Sequence, residues 1–143
     1  MITLAILQKM AADQVAGLEV DKNFFWEEAP LQKDGNPAQG VWIVTRGGSS
    51  INTPHGKNQS TTVDFFVAFN DKTKTEATAE AIIRWIRNNL GICELRGTAG
   101  SSRYAFENIR IRQTTSVANY GVTQNGIIVK AVSAQIYYDT LTN

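Results

Sequence analysis

The residue types that most often perform catalysis are few in this sequence. The chain of 143 residues has one histidine, His55, and one cysteine, Cys93, and they are far apart. A serine or cysteine nucleophile needs a base held beside it, but the residues around His55 predict a loop. Glu27 and Glu28 are adjacent, so on a strand they would point to opposite sides and could not act as a paired acid and base. We therefore predict that the chain is not an enzyme.

The same residue counts limit cofactors and metals. One cysteine and one histidine cannot form an internal disulfide or a metal site built on several such ligands. The glycine-rich stretches, Gly47-Gly48 and residues 97–100, match neither the phosphate-binding loop nor the dinucleotide-binding fingerprint. No cofactor is predicted, and Cys93 is expected to be a small buried side chain just after a helix.

Arg110 and Arg112 are the best residues for contact with a partner. At a spacing of two on a predicted strand they share one face, and Tyr104 and Phe106 precede them on the same strand. A formal net charge of +1 creates no overall field, so contact with nucleic acid would have to be local. Such a strand fits a nucleic-acid surface, a subunit interface or a solvated sheet face, and all three interpretations stay open at this point.

Residues 61–90 are the stretch in which the local signals agree best, and they predict a strand followed by a helix. Alternate apolar side chains predict one buried strand face, formed by Val63, Phe65, Val67 and Phe69. Thr73 and Glu76 have the spacing of a capping box, which predicts the helix start, and Gly91 is expected to end the helix. The apolar stripe of this helix consists of Ile82, Trp85, Ile86 and Leu90. We expect the stripe to pack on a sheet.

The rest of the N-terminal half predicts a helix and two strands. Residues 2–16 carry an apolar stripe, and Gly17 is expected to end that helix. Residues 18–29 and 41–45 are rich in aromatic and β-branched side chains, which favour strands.

Two long strands are predicted in the C-terminal half. Residues 104–115 and 127–138 are expected to form an antiparallel pair joined through residues 116–126, with a turn at Asn125-Gly126. Residues 92–95 predict a short strand, and residues 96–103 a flexible run.

Two further segments are predicted to be loops. Residues 32–40 are rich in turn formers. Residues 46–60 contain a single apolar residue, Ile51, and a structureless loop of this length is uncommon in a compact domain unless it is functional or disordered. We take residues 46–60 as the most informative loop of the chain.

The length and composition are typical of one globular domain. Hydrophobic residues make up 43% of the chain and charged residues 19%, which excludes disordered and fibrous classes. The N-terminus has neither a basic region nor a sustained apolar run, so no signal peptide or membrane span is expected, and the protein is expected to stay where it is made. We predict a single α+β domain over residues 1–143, with a mixed or antiparallel sheet on which an N-terminal helix and a central amphipathic helix pack.

The order of these elements resembles that of the tail terminator and tail-completion proteins of long-tailed bacteriophages. The resemblance rests on Val41-Trp42-Ile43-Val44 before a long polar loop, and on Val63-Asp64-Phe65-Phe66-Val67-Ala68-Phe69 leading into the central helix. It extends through the arginine-bearing strand at 104–115 to a last strand that ends in Ala134-Gln135-Ile136-Tyr137-Tyr138. Similar patterns occur in head-completion and neck proteins.

The resemblance implies a structural virion protein without catalytic residues. Such a protein forms a ring, expected to be a hexamer, on the last ring of the tail tube, ends tail elongation and meets the head-tail connector. The loops at 46–60 and 116–126 would project toward the tube or a neighbouring subunit, and DNA would pass through the lumen. Arg46, Lys57, Arg110 and Arg112 are the candidate interface residues. The protein would be assembled in the host cytoplasm and reside at the head-proximal end of the virion tail. The alternative is a nucleic-acid-binding accessory protein that uses the same arginine strand.

Overall fold

The strand predicted in residues 61–69 lies inside the sheet of a computed structural model that describes residues 2–27, 38–46 and 57–141. In those ranges the chain forms one seven-stranded sheet and two α-helices. The helices are α1 (Ile2–Ala12) and α2 (Lys72–Asn88), and a short 3-10 helix, Val15–Gly17, follows α1. The strands are β1 (Phe24–Trp26), β2 (Gly40–Thr45), β3 (Gln59–Phe69), β4 (Gly91–Ala99), β5 (Ser102–Gln113), β6 (Ala118–Val122) and β7 (Ile128–Thr140). The predicted α+β class, with an N-terminal and a central helix, is confirmed.

The sheet is mixed and its strand order is β1-β2-β3-β7-β5-β4. β1 runs parallel to β2, and the other neighbouring strands are antiparallel. β3 pairs along one side of β7, whereas β5 and β6 pair with successive parts of its other side. β5 and β6 therefore lie end to end, and residues 116–126 contain a strand that was predicted as part of a connection. The predicted turn at Asn125-Gly126 is confirmed, since the Gly126 N–H donates to the Thr123 carbonyl at 3.0 Å.

Helix α1 fills the space between the two edges of the curled sheet. It contacts β1 and β2 near one edge and β4 at the other. A helix that is apolar on nearly every side is typical of a buried position, and seven residues of α1 are buried: Ile2, Thr3, Leu4, Ala5, Ile6, Leu7 and Met10. The prediction of one helix over residues 2–16 was too long. Gln14 and Ala16 have φ values of +56° and +51°, so the α-helix cannot continue through them.

The central strands are covered on both faces, so the prediction of a half-buried β3 was incomplete. Val63, Phe65, Val67 and Phe69 face the helices and are buried, as predicted. On the opposite face Asp64 and Ala68 are also buried, and Phe66 stacks on Trp42 of β2. Large side chains of adjoining strands therefore cover this second face around the middle of β3.

Helix α2 packs on β3, β7 and β5 as predicted, but its ends differ from the prediction. Asp71 is the N-cap, and its carboxylate accepts hydrogen bonds from the backbone N–H groups of Thr73 and Lys74 at 2.9 and 3.3 Å. The capping box of Thr73 and Glu76 was therefore wrong, because an aspartate two residues earlier already satisfies those donors. Glu76 instead accepts a hydrogen bond from Lys130 of β7 at 3.0 Å.

At its other end the apolar stripe of α2 is shorter than predicted. Ile82, Trp85 and Ile86 are buried, but Leu90 is 57% exposed because the helix has already ended at Asn88. Gly91 does not end the helix in a left-handed conformation; it is the first residue of β4.

The β4–β5 hairpin corrects two further predictions. Cys93 is exposed, because successive side chains of a strand point to opposite faces and its neighbour Ile92 is the one that packs against the core. Residues 96–103 are not a flexible run, since residues 96–99 continue β4 and pair with the start of β5. The two strands are joined by a turn of two residues, in which Gly100 has a φ of +63°.

Parts of the predicted loops lie outside the described residues. These parts are residues 32–37 and 47–56, which include Gly47-Gly48, Ile51 and His55. Residues 28–31 also lie outside the described ranges, and they include Glu28 at the end of the strand predicted over residues 18–29. At the end of the predicted 46–60 loop, Gln59 and Ser60 already belong to β3.

Candidate interaction surface

The two faces of the sheet differ in what covers them. Both helices contribute to one apolar core with the alternate residues of β2, β3, β5 and β7. We call the opposite side of the sheet the open face, because within residues 2–27, 38–46 and 57–141 no helix packs on it. Cross-strand neighbours point to the same face of a sheet, so the strand register determines which side chains the open face presents.

Aromatic side chains occupy one end of the open face. The rings of Trp42 and Phe66, which are opposite each other on β2 and β3, stack with centroids 5.5 Å apart. Tyr120 of β6 meets the Phe66 ring edge-on at 5.6 Å and is 62% exposed. We call these three residues the aromatic cluster. The cluster was not predicted from the sequence, because Tyr120 lies in the segment predicted as a connection and Phe66 lies on the face of β3 opposite the one predicted to be buried.

Basic residues occupy the middle of the open face. Arg112 of β5 is opposite Gln135 of β7, which is opposite Thr62 of β3, and the N–H of Arg46 donates to the Thr62 carbonyl at 2.8 Å. Arg46 and Arg112 are therefore in one row across four strands, about 14 Å apart at the usual strand spacing. Arg110 is in the next row, opposite Tyr137.

Arg46 is held in place by a buried carboxylate. Its Nε lies 2.7 Å from Oδ2 of Asp64, and the hydroxyl of Ser133 donates to the other oxygen of the same carboxylate. Asp64 is 6% exposed. A buried carboxylate needs such partners, because it has lost most of its contact with water. About half of the Arg46 side chain remains exposed, which leaves part of the guanidinium accessible to a partner.

Lys57 joins a second polar group at the far end of the open face. Its Nζ lies 3.2 Å from Oε1 of Glu107 and 3.9 Å from Oδ2 of Asp139. Asp139 also accepts hydrogen bonds from the Asn108 side chain at 2.9 Å and from the Asn58 N–H at 2.8 Å. These two hydrogen bonds, that from Asn108 first, hold the pKa of the Asp139 carboxyl below its usual value.

Arg110 and Arg112 are the more available cations of the four candidates. The guanidinium of Arg110 lies 5.6 Å from the centre of the Tyr137 ring, within the range of a cation–π contact, and its side chain is exposed. Arg112 is exposed, and no ion pair of Arg112 occurs within the described part of the chain. The register thus brings all four predicted interface residues to the open face.

The aromatic residues that had been associated with the arginines lie elsewhere. Tyr104 and Phe106 stack on each other at 5.8 Å on the helix side of β5, where both are buried. They are therefore not available to stack on nucleic-acid bases. Burial raises the pKa of the Tyr104 hydroxyl, which contacts the Gln8 side chain of α1.

A pocket of about 580 Å³ opens beside Arg110, where β5 bulges between Glu107 and Arg110. It is lined by Asn58, Gly91, Ile92, Cys93, Asn108, Ile109, Arg110 and Asp139. Within this wall the backbone N–H of Asn58 and the side-chain amide of Asn108 both donate to the carboxylate of Asp139. Across the described ranges, no three His, Cys, Asp or Glu side chains are grouped so that they could hold a metal ion.

Comparison with known proteins adds no family assignment. No protein-family model matches this sequence, and no match is found among curated proteins. Neither helix of the described structure is both long enough and apolar enough to cross a membrane.

Proposed function

We propose that this chain is a structural virion protein of a long-tailed bacteriophage that acts by assembly and not as an enzyme. On this proposal its copies form a ring, expected to be a hexamer, on the head-proximal end of the tail tube. The ring ends tail elongation and provides the surface on which the head-tail connector or a neck protein docks, and DNA passes through its lumen. The proposal rests on the resemblance in the order and character of the elements, together with the one-sided surface of the sheet.

The open face is the observation that carries the proposal. It joins an aromatic cluster to a row of basic side chains, and clusters of aromatic residues and arginine are enriched in protein interfaces. Between Val129 and Asp139 the open face extends about 34 Å along β7, and its width across the four strands β2, β3, β7 and β5 is about 19 Å. Its area is therefore on the order of 650 Å². A protein interface of standard size covers about 800 Å² on each partner, so this face is large enough to form most of one.

The assembly of tail tubes in the presence of the purified chain tests the proposal. Tube protein of the same virion is polymerised with and without the chain, and tube lengths are measured by electron microscopy. We expect short tubes with a ring at one end, together with discrete oligomers of the chain in sedimentation experiments over a concentration series. Tubes of unchanged length and a chain that is monomeric at all concentrations would contradict the proposal.

A second candidate function is supported by Arg110 and Arg112, which are exposed on neighbouring rows of the open face. A nucleic-acid-binding accessory protein could use these side chains for phosphate contacts, which make affinity fall steeply with salt. This candidate predicts that a monomer binds a fluorescent single-stranded oligonucleotide, and that Arg112→Gln lowers the salt slope by about one. Absence of binding at low salt would contradict it.

A further inference from the structure

We infer that the open face of one copy binds the β1 edge of the next copy, and that this contact joins subunits in the ring. The inference deepens the proposed function and rests on it. The β1 edge is the segment of residues 19–27, which includes β1 and the turn before it. A ring needs two different surfaces that fit each other, because each subunit contacts one neighbour with one surface and the other neighbour with the second.

The β1 edge is acidic and partly apolar. Three acidic residues are exposed there: Glu19, Asp21 and Glu27. Lys22 is the one cation of the segment, which therefore has three negative charges and one positive charge. Val20 and Trp26 are 39% and 40% exposed, and they are two of the large hydrophobic side chains that the described structure leaves in solvent.

The open face has the complementary character. Arg46, Arg110 and Arg112 are offset there by the carboxylate of Asp64, so the middle of the face has three positive charges against one negative charge. The aromatic cluster beside it provides an apolar surface for Val20 or Trp26, with the exposed Tyr120 at its margin. Opposite charges across an interface select the partner and its orientation.

The geometry of the aromatic cluster favours a protein partner over a nucleic acid. Binding of single strands depends on free ring faces on which bases can stack. Trp42 and Phe66 each cover one face of the other, and Tyr120 packs at an angle against Phe66, so Tyr120 is the one largely exposed ring of the three. A surface of this kind packs against aliphatic and aromatic side chains.

A charge-exchange experiment on the full chain tests the inference. Arg112→Glu alters the open face and Glu19→Arg alters the β1 edge, and both side chains are exposed. Among the described residues Glu19 forms an exposed ion pair with Lys22, and Arg112 forms none. We expect each variant to weaken self-association by roughly tenfold or more, measured by sedimentation. An equimolar mixture should recover oligomers in which the two variants alternate, because their intact surfaces fit each other and their altered surfaces also have opposite charges. The variant with both changes should recover oligomers.

Controls separate this inference from the proposed function. Glu80→Arg and Arg84→Glu change exposed charges on α2 and should leave association unchanged, and thermal unfolding shows that each variant is folded.

Normal rings from both single variants would overturn the inference and leave the proposed function standing. Loss of tube capping with normal self-association would also overturn it, since the open face would then meet the tube. A wild-type chain that neither associates nor caps tubes would overturn both, and binding of an oligonucleotide abolished by Arg112→Glu would assign the face to nucleic acid.

Discussion

The carboxylate of Asp64 shows how one residue can fix a surface cation. It lies in the middle of the sheet, is 6% exposed, and is bound by Arg46 and Ser133. Removing one partner of a buried polar contact costs the desolvation of the groups left behind, which exceeds the net strength of the contact itself. Asp64 therefore links the stability of the sheet to the position of Arg46, the residue that follows β2.

We predict that Asp64→Ala lowers the free energy of unfolding by about 2 kcal/mol, because Ser133 loses its acceptor in a buried position. The matched control is Glu76→Ala, which removes an ion pair with Lys130 whose carboxylate is about half exposed and should therefore cost less stability than Asp64→Ala. Urea unfolding of the two variants measures the difference. Equal losses would mean that Asp64 is as well hydrated as Glu76.

The lowered pKa of the Asp139 carboxyl should make the stability of the protein depend on pH in acid. Hydrogen bonds from Asn108 and Asn58 lower the pKa of its carboxyl in the folded state below the value of 3.8 expected for the unfolded chain. The unfolded state therefore binds more protons between these two pKa values, and the stability from Asp139 is present above pH 3.8 and is lost as the pH falls through the folded pKa.

We predict that Asp139→Asn is less stable than the wild type by about 1.5 kcal/mol near neutral pH, and that this gap narrows as the solution is acidified. Urea unfolding at about pH 6 and about pH 3 measures the change. Glu80→Gln, which removes an exposed carboxylate from α2, controls for the loss of one surface charge. A gap that stays constant with pH would contradict the role given to the ionised carboxylate.

At the scale of elements, α2 shows that a correct prediction of a helix does not ensure correct ends. The carboxylate of Asp71 binds two of the N–H groups that the first turn leaves without helical partners. We predict that Asp71→Ala costs about 1 kcal/mol of stability, whereas Thr73→Ala costs a few tenths, since the Thr73 side chain is exposed at the first turn. The stability of the two variants, measured by thermal or urea unfolding, distinguishes an Asp71 N-cap from a capping box of Thr73 and Glu76. A larger loss for Thr73→Ala would restore the capping box predicted from the sequence.

Periodicity predicted the elements whose apolar residues repeat in one pattern over many residues. The core faces of β3 and, apart from Leu90, of α2 were predicted, because burial of one face imposes a period of two or of 3.6. Residues 96–99 and β6 were not predicted as strands. Their side chains resemble those of a loop, and they are strands because a neighbouring strand supplies hydrogen bonds, which a local pattern does not reveal.

The candidate surface was predicted as a set of residues but not as an arrangement. Arg110 and Arg112 could be placed together because they are two residues apart on one strand. Arg46 joins them only through the register of β2, β3, β7 and β5, which brings together residues distant in the sequence. Such a register depends on turns and bulges as well as on the hydrophobic pattern, and it could not be read from the separate strands.

At the scale of the whole molecule, the curled sheet separates stability from recognition. The core between the sheet and the two helices contains the large buried side chains, whereas the open face carries ion pairs between strands or strand ends, such as Arg46 with Asp64 and Lys57 with Glu107. Substitutions on the margin of the open face can therefore change association with little effect on folding.

We predict that Tyr120→Ser changes the free energy of unfolding by less than about 0.5 kcal/mol, because the side chain is 62% exposed, but weakens self-association. Val122→Ser is the matched control. Val122 is 66% exposed on the same hairpin, but it is opposite Ile128 and so points to the helix side of the sheet. Sedimentation compares the two variants, and equal effects would exclude a specific contribution of the open face.

The pairing of β3 with β7 has a consequence for biosynthesis. Every residue of β3 pairs with a residue of β7, and β7 is the last strand of the described chain to leave the ribosome. Until then the aromatic β3 has one edge without a partner, which is a template for aggregation. Nascent chains that stall before residue 128 should therefore depend on chaperones, and those released after residue 140 should not.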